Sequence, residues 1–312
     1  MARRYLWLVI AVVIGIAAMS AVGDVRHLGD ALAGFEWWAL AVALALALGN
    51  YVLRFVRWQL YLARREVRVP VTSSALVFGA GLSLSITPGK LGELVKAYLL
   101  REMHDVPATQ TAPIVVAERV TDLIALVVVG LVGVARYGLA PTFVAVAAAL
   151  VAVGLVLLAW TRPTLALVDF ITRPDKLRRL REPLRETLAH LAELCRPGTL
   201  IAATAIAIPA WGCECLGFGI ICNAFPGAHV DYGLAAVIYA GTTIAGALSF
   251  LPGGLGVTEG AMTIALVEYM SRASASAATL LTRLATLWFA VALGIVFLAL
   301  ARQRIRTLAA SR

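Results

Sequence analysis

Long apolar runs joined by short polar connections recur along the whole chain. Runs long enough to cross a bilayer lie near 5–22, 38–62, 112–135, 139–160, 198–224 and 277–301. A hydrocarbon core about 30 Å thick takes roughly 20 apolar residues per helix. Two further apolar regions, 71–103 and 234–270, are broken in the middle by Pro and Gly. The pattern predicts an all-α polytopic membrane protein, with 1–312 forming one membrane domain and no soluble catalytic domain.

Composition sharpens this picture. The chain is 61% hydrophobic and 14% charged, against about 45–50% and about 25% in soluble domains. The first run follows Arg3 and Arg4, the order of a signal peptide. It is long for one, so it reads as an uncleaved first helix. Cys195, Cys213, Cys215 and Cys222 lack metal-type spacing and read as small apolar packers.

Charge sets the expected orientation. One set of connections holds Arg3, Arg4, Arg64, Arg65, Arg68, Arg101, the 161–197 segment, Arg302, Arg304 and Arg306. The other holds 23–37, 136–140, 225–232 and 269–275, with few basic residues. Basic loops face the cytoplasm, so both termini are expected inside a cell membrane. The net charge of +9 then reports topology and anionic inner-leaflet lipid rather than nucleic acid. Within 161–197, Leu177, Leu180, Leu184, Leu188, Leu191 and Cys195 recur at steps of three and four, an amphipathic helix that Pro183 would kink. It either lies on the inner leaflet or packs on the bundle.

The two broken regions are related. "SITPGKLGELVKAY" begins at Ser85 and "SFLPGGLGVTEGAM" at Ser249, an offset of 164. That offset carries Pro88, Gly89, Leu91 and Gly92 onto Pro252, Gly253, Leu255 and Gly256. It also carries Arg119 onto Arg283 and Asn50 onto Glu214. We expect an internal duplication, about 38–135 and 198–301. The flanking charges run the first helix of each copy in opposite directions, so the copies are expected to be inverted. Inverted repeats with matching broken segments mark many transporter folds. Each break is either a tight loop between full spans or the tip of a re-entrant helix pair. Ser83, Ser85 and Thr87 before the first break favour re-entry.

Charges inside apparent spans are costly, about 2.5–3.5 kcal/mol for Arg or Asp at a helix centre. Here they are Arg54, Arg57, Glu118, Arg119, Asp122, Glu214 and Arg283. Arg57, near a helix end, is expected to snorkel to the surface. Glu118 lies near the start of its helix, within reach of the interface. Lys90, Glu93, Lys96 and Glu259 follow the breaks. A mixed lining suits a zwitterionic or phosphate-bearing headgroup, with arginine forks and half-helix N-termini on the phosphate. Gly253, Gly254 and Gly256 would let the backbone approach it closely.

"TPGKLGE", "ERVTD" and "LPGGLGVTEG", in that order, resemble the flippase-like family of the lysylphosphatidylglycerol synthase transmembrane region, over about 5–300. The resemblance implies movement of a phospholipid or lipid-linked headgroup between leaflets, without the aminoacyl transfer of two-domain members. It carries over Pro88, Gly89, Gly92, Glu93, Glu118, Arg119, Asp122, Pro252, Gly253, Gly254, Gly256 and Glu259 as site residues. Arg54, Lys90, Glu214 and Arg283 join them on the charge argument.

The expected function is therefore a lipid flippase rather than an enzyme. It has no Walker A motif, and no cofactor or metal is expected. Energy would come from an ion gradient, with Glu93 or Glu259 as proton carriers, or the protein would only equilibrate the leaflets. Two alternatives stay open: a membrane-embedded lipid-modifying enzyme, and a non-transporting assembly partner of one. The first needs a nucleophile, metal cluster or acid/base pair, and His27, His104, His190 and His229 are scattered in or near loops. A homo-oligomer is also left open.

Overall fold

The computed structural model describes residues 28–137, 161–174 and 178–310, with a few positions between 145 and 156. The expected span at 5–22, most of that at 139–160, and Leu177 lie outside the described residues. Those described form helices and no strand. In order they are α1 Leu28–Ala33, α2 Trp38–Arg64, α3 Val71–Leu82, α4 Val95–His104, α5 Ala108–Tyr137, α6 Thr161–Ile171 and α7 Arg181–Leu194. Then come α8 Pro197–Asn223, α9 Tyr232–Leu248, α10 Val257–Leu266, α11 Arg272–Arg283 and α12 Phe289–Ala310. A π-helical turn, Leu284–Trp288, joins the last two.

Trp38–Arg64, Pro197–Asn223 and Arg272–Thr307 are long and apolar enough to cross a membrane. These match the expected spans at 38–62, 198–224 and 277–301. The 112–135 span falls within α5, which carries Glu118, Arg119 and Asp122 near its middle. The broken regions give shorter helices. At 1.5 Å per residue, the 12 residues of α3 rise about 18 Å, well short of the roughly 30 Å core. The 10 residues each of α4 and α10 rise less.

Each break is a short 3₁₀ turn, Pro88–Leu94 and Pro252–Gly254. A proline opens each and Gly89 and Gly253 follow at φ 58° and 60°. Their left-handed backbone favours glycine and reverses the chain. The two turns pack against each other.

From α3 onward the elements recur at the 164 spacing: α3 falls within α9, Pro88 on Pro252, and the start of α5 on the start of α11. Packing follows the same exchange. α3 lies on α12, and α5 lies on α9; α2 and α8 lie on each other. Along that last pair Glu36 N donates to Ala224 O, Gly217 abuts Ala43, and Asn50 donates to Ala210 O at 2.8 Å. Numbers rise on one helix as they fall on the other, so α2 and α8 are antiparallel.

The connections gather at two ends. At one, Phe35 packs on Phe225 and Tyr137 donates to Asp231. At the other, the basic end, Arg65 pairs with Glu193 and His190 meets the Thr109 carbonyl. There α7 packs on α5 with Leu191 and Leu194 buried, which favours the bundle-packed reading of this segment. Pro183 does not kink it. The helix starts at Arg181, and a proline in the first turn removes no helical hydrogen bond. Of the four free cysteines, Cys215 and Cys222 are buried as apolar packers, and Cys195 and Cys213 are partly buried.

Candidate functional site

The first broken region, α2 and α5 build one charged network. Arg54 and Arg57 share a face of α2, three residues apart. Glu93 ends the first turn, Lys96 opens α4, and Glu118, Arg119 and Asp122 share a face of α5. Glu93 sits among three cations: Lys96 at 3.2 Å, Arg119 at 3.4 Å and Arg54 at 3.5 Å. Lys96 also pairs with Glu118. Asp122 takes Arg57 at 2.7 Å and Arg119 at 3.1 Å, and accepts from Trp211 Nε1 at 3.1 Å. That last bond ties α5 to α8, across the two halves.

Burial makes this network costly to leave incomplete. Arg54, Arg57, Glu93, Lys96, Glu118 and Asp122 are all buried. Arg57 does not snorkel; it is 0% exposed, drawn inward by Asp122 and Thr121. Lys96 is sheathed by aromatic faces, Trp58 at 4.8 Å and Phe78 at 5.6 Å. Arg119 is partly open. Lys90 lies half-buried over Trp211, 5.7 Å from the ring centre, with no carboxylate in ion-pairing reach among the described residues. Its backbone has φ 56°, a left-handed conformation that lysine rarely adopts.

Charge does not balance here. Five cations, Arg54, Arg57, Lys90, Lys96 and Arg119, face three carboxylates, Glu93, Glu118 and Asp122. Among the described residues, buried donors on Arg54 Nε and Arg119 Nε, and on Arg57 Nε and Nη2, have no hydrogen-bond partner, nor does the acceptor Glu118 Oε1. Such an excess inside a membrane domain calls for an anion or water.

The second broken region is arranged differently. Glu259 pairs with Arg283 at 2.6 Å, and its other oxygen accepts from Gly256 N at 2.6 Å. It therefore caps the N-terminus of its own helix, α10. Arg283 also donates to Gly253 O at 2.6 Å. These contacts tie Arg283 to the turn and to Glu259, and engage two of the guanidinium nitrogens expected to face a phosphate. Glu214 lies apart from both groups, accepting from the Tyr239 hydroxyl at 2.6 Å.

Thus Arg54, Lys90, Glu93, Glu118, Arg119 and Asp122 come together, with Pro88, Gly89 and Gly92 forming the turn beneath them. Pro252, Gly253, Gly254, Gly256, Glu259 and Arg283 form a second unit, with its two charges paired to each other. The charge pattern counted Lys96 in the mixed lining, where the structure places it, but left Arg57 at the surface and gave no place to Trp211. Spacing carried a signal for Arg57, three residues after Arg54. Trp211 carried none, since its contact depends on how α8 packs. No group of three or more His, Cys, Asp or Glu side chains among the described residues is placed to hold a metal.

A "UPF0104 membrane protein" of Methanothermobacter thermautotrophicus is 26% identical over 317 aligned positions, covering 92% of this chain and 93% of that protein. The family model described as "Lysylphosphatidylglycerol synthase TM region" matches residues 6–294. The chain is a multi-pass membrane protein and belongs to the family of the lysylphosphatidylglycerol synthase transmembrane region.

Proposed function

We propose that the protein is a flippase for a phospholipid or lipid-linked headgroup carrying phosphate. The headgroup passes through the charged site at the first turn while its acyl chains stay in lipid. The carrying observation is the excess of cations over carboxylates at the site: the three buried pairs balance, and the half-buried Lys90 and partly open Arg119 are the surplus, with Lys90 near no carboxylate and arginine donors unsatisfied among the described residues. Phosphate oxygens satisfy arginine and lysine donors better than a neutral headgroup can. Leu91 and Phe250, at the tips of the two turns, are apolar and 67% and 71% exposed, which suits contact with acyl chains. Family membership ties the chain to lipid handling.

In this reading the two halves are inverted repeats related by an axis in the membrane plane. The antiparallel α2–α8 pair and the exchanged packing of α3 on α12 and α5 on α9 support it. The short α3 and α4, and the short α10, are re-entrant arms whose turns meet inside the membrane. The basic end faces the cytoplasm. The protein does no chemistry on the lipid.

Purified protein in liposomes, with fluorescent lipids of several headgroups and a membrane-impermeant quencher, tests this. The expected result is faster loss of inner-leaflet protection for a phosphate-bearing lipid than in protein-free vesicles. No acceleration for any phosphate-bearing headgroup, with or without an imposed ion gradient, would contradict it.

A further inference from the structure

Positions 164 residues apart divide the charge unequally. Arg54, Arg57, Lys90 and Lys96 correspond to Phe218, Ile221, Gly254 and Gly260. Glu118 and Asp122 correspond to Thr282 and Thr286, and Asn50 to Glu214. The second half therefore replaces a cationic cluster by a neutral wall with one carboxylate. Glu214, Thr282 and Thr286 border a common cavity, lined otherwise by small and apolar residues of α2, α8 and the π-helical turn. It has a volume of about 10 Å³, room for one water-sized occupant.

Its donors suit a hard cation. Glu214 has no Lys or Arg in ion-pairing reach among the described residues; its contact is the Tyr239 hydroxyl. Thr282 and Thr286 add oxygens, and Thr286 sits in the π-helical turn. Such turns disturb the regular backbone pairing and recur at functional sites. Tyr51 reaches across to the Thr286 carbonyl at 3.0 Å. The charged and titratable groups facing Glu214 are Tyr51 and Arg54 on α2, Tyr239 on α9, and Cys213 and Cys215 on its own helix. Beyond Tyr239 lies Arg283 on α11. Arg54 and Arg283 are committed to Glu93 and Glu259. The two carboxylates first expected to serve an ion gradient, Glu93 and Glu259, are held by those cations. Glu214 is not.

We infer that Glu214, with Thr282 and Thr286, binds a small monovalent cation, a proton or a sodium ion, and couples it to transport. The coupling rests on the flippase reading; the binding does not. A half-buried carboxylate in a largely apolar wall is stabilised by one positive partner, and a small cation can come and go where an arginine cannot. Exchange of that ion on either side of the membrane would give the second half a role distinct from headgroup binding.

Two measurements on the purified full chain decide it. Infrared difference spectra over a pH titration would show a protonated-carboxyl band, lost in Glu214→Gln and shifted in midpoint by Tyr239→Phe. That result assigns a proton. Alternatively, sodium chloride would raise the melting temperature over choline chloride at equal ionic strength, with the rise lost in Glu214→Gln and reduced in Tyr239→Phe. That assigns sodium. No response of the wild type to either ion overturns the inference, as does a band or a rise that persists in Glu214→Gln. Should Glu214→Gln fail to fold, a response that Tyr239→Phe leaves unmoved overturns it. Neither readout needs lipid movement, so cation binding without flipping would refute the flippase reading alone.

Discussion

Glu93 is the centre of the charged network at the scale of single residues, holding Arg54, Lys96 and Arg119 at once. Removing one partner from a buried ion pair leaves the other charged and unpaired, at about 3–5 kcal/mol. Glu93→Gln is therefore expected to lower thermal stability sharply in detergent. Arg119, partly open to solvent, should cost less on truncation, and equal losses would contradict this ranking. The carboxylates and Arg119 were legible in the sequence, because charges in an apolar run announce themselves. Arg57 was misjudged because its place near a helix end says nothing about Asp122, which arrives on α5. The sign of the site was not legible either. That Glu259 caps α10 while Lys90 meets Trp211 and no carboxylate among the described residues depends on side-chain geometry that spacing does not carry.

Close approaches of backbone shape the elements. A Cβ on Gly294 of α12 would fall on the backbone of Ser83, just after α3, where nothing can yield. Gly294→Ala should be destabilised by about 1–3 kcal/mol or more, as overpacked cores are. Gly241→Ala, inside α9 with nothing within 4 Å of the new methyl, should be neutral or stabilised by up to about 1 kcal/mol. Comparable melting temperatures for the two would refute the α3–α12 crossing. At the opposite end Asp231 caps α9 through Gly233 and Leu234 N–H. The Tyr137 hydroxyl, then the Leu234 N–H, hold its carboxyl below the usual aspartate range. Its contribution is thus complete above about pH 4 and lost as pH falls through the lowered value. The stability gap between wild type and Asp231→Ala should close only in that acid range. Most long helices were legible from apolar periodicity. The start of α7 was not, because Pro183 reads as a kink until the helix is seen to begin two residues earlier.

At the scale of the whole molecule, inverted halves place the two ends of the bundle on opposite sides of the membrane. In a cysteine-free background, single cysteines at Arg68 and Arg302 should label from the cytoplasmic side. Those at Gly29 and Glu268 should label from the other. All four positions are exposed, and any mixed result would refute the inverted arrangement. The 164-residue offset was legible because proline, glycine and arginine recur along it without a gap, and α3, Pro88 and the start of α5 meet helical counterparts at that spacing. The division of labour between halves was not, since it lies in which charges are paired.

Lys90 offers the most direct test of the central claim. It strains its backbone at φ 56°, where the corresponding Gly254, at φ 66°, does not. Strain of this kind persists where function needs the side chain. Lys90→Gly in the liposome assay should melt at the same or a higher temperature than wild type, yet lose most of the acceleration for phosphate-bearing lipids. Unchanged flipping by a folded Lys90→Gly would mean that the cationic excess at the first turn does not carry the headgroup.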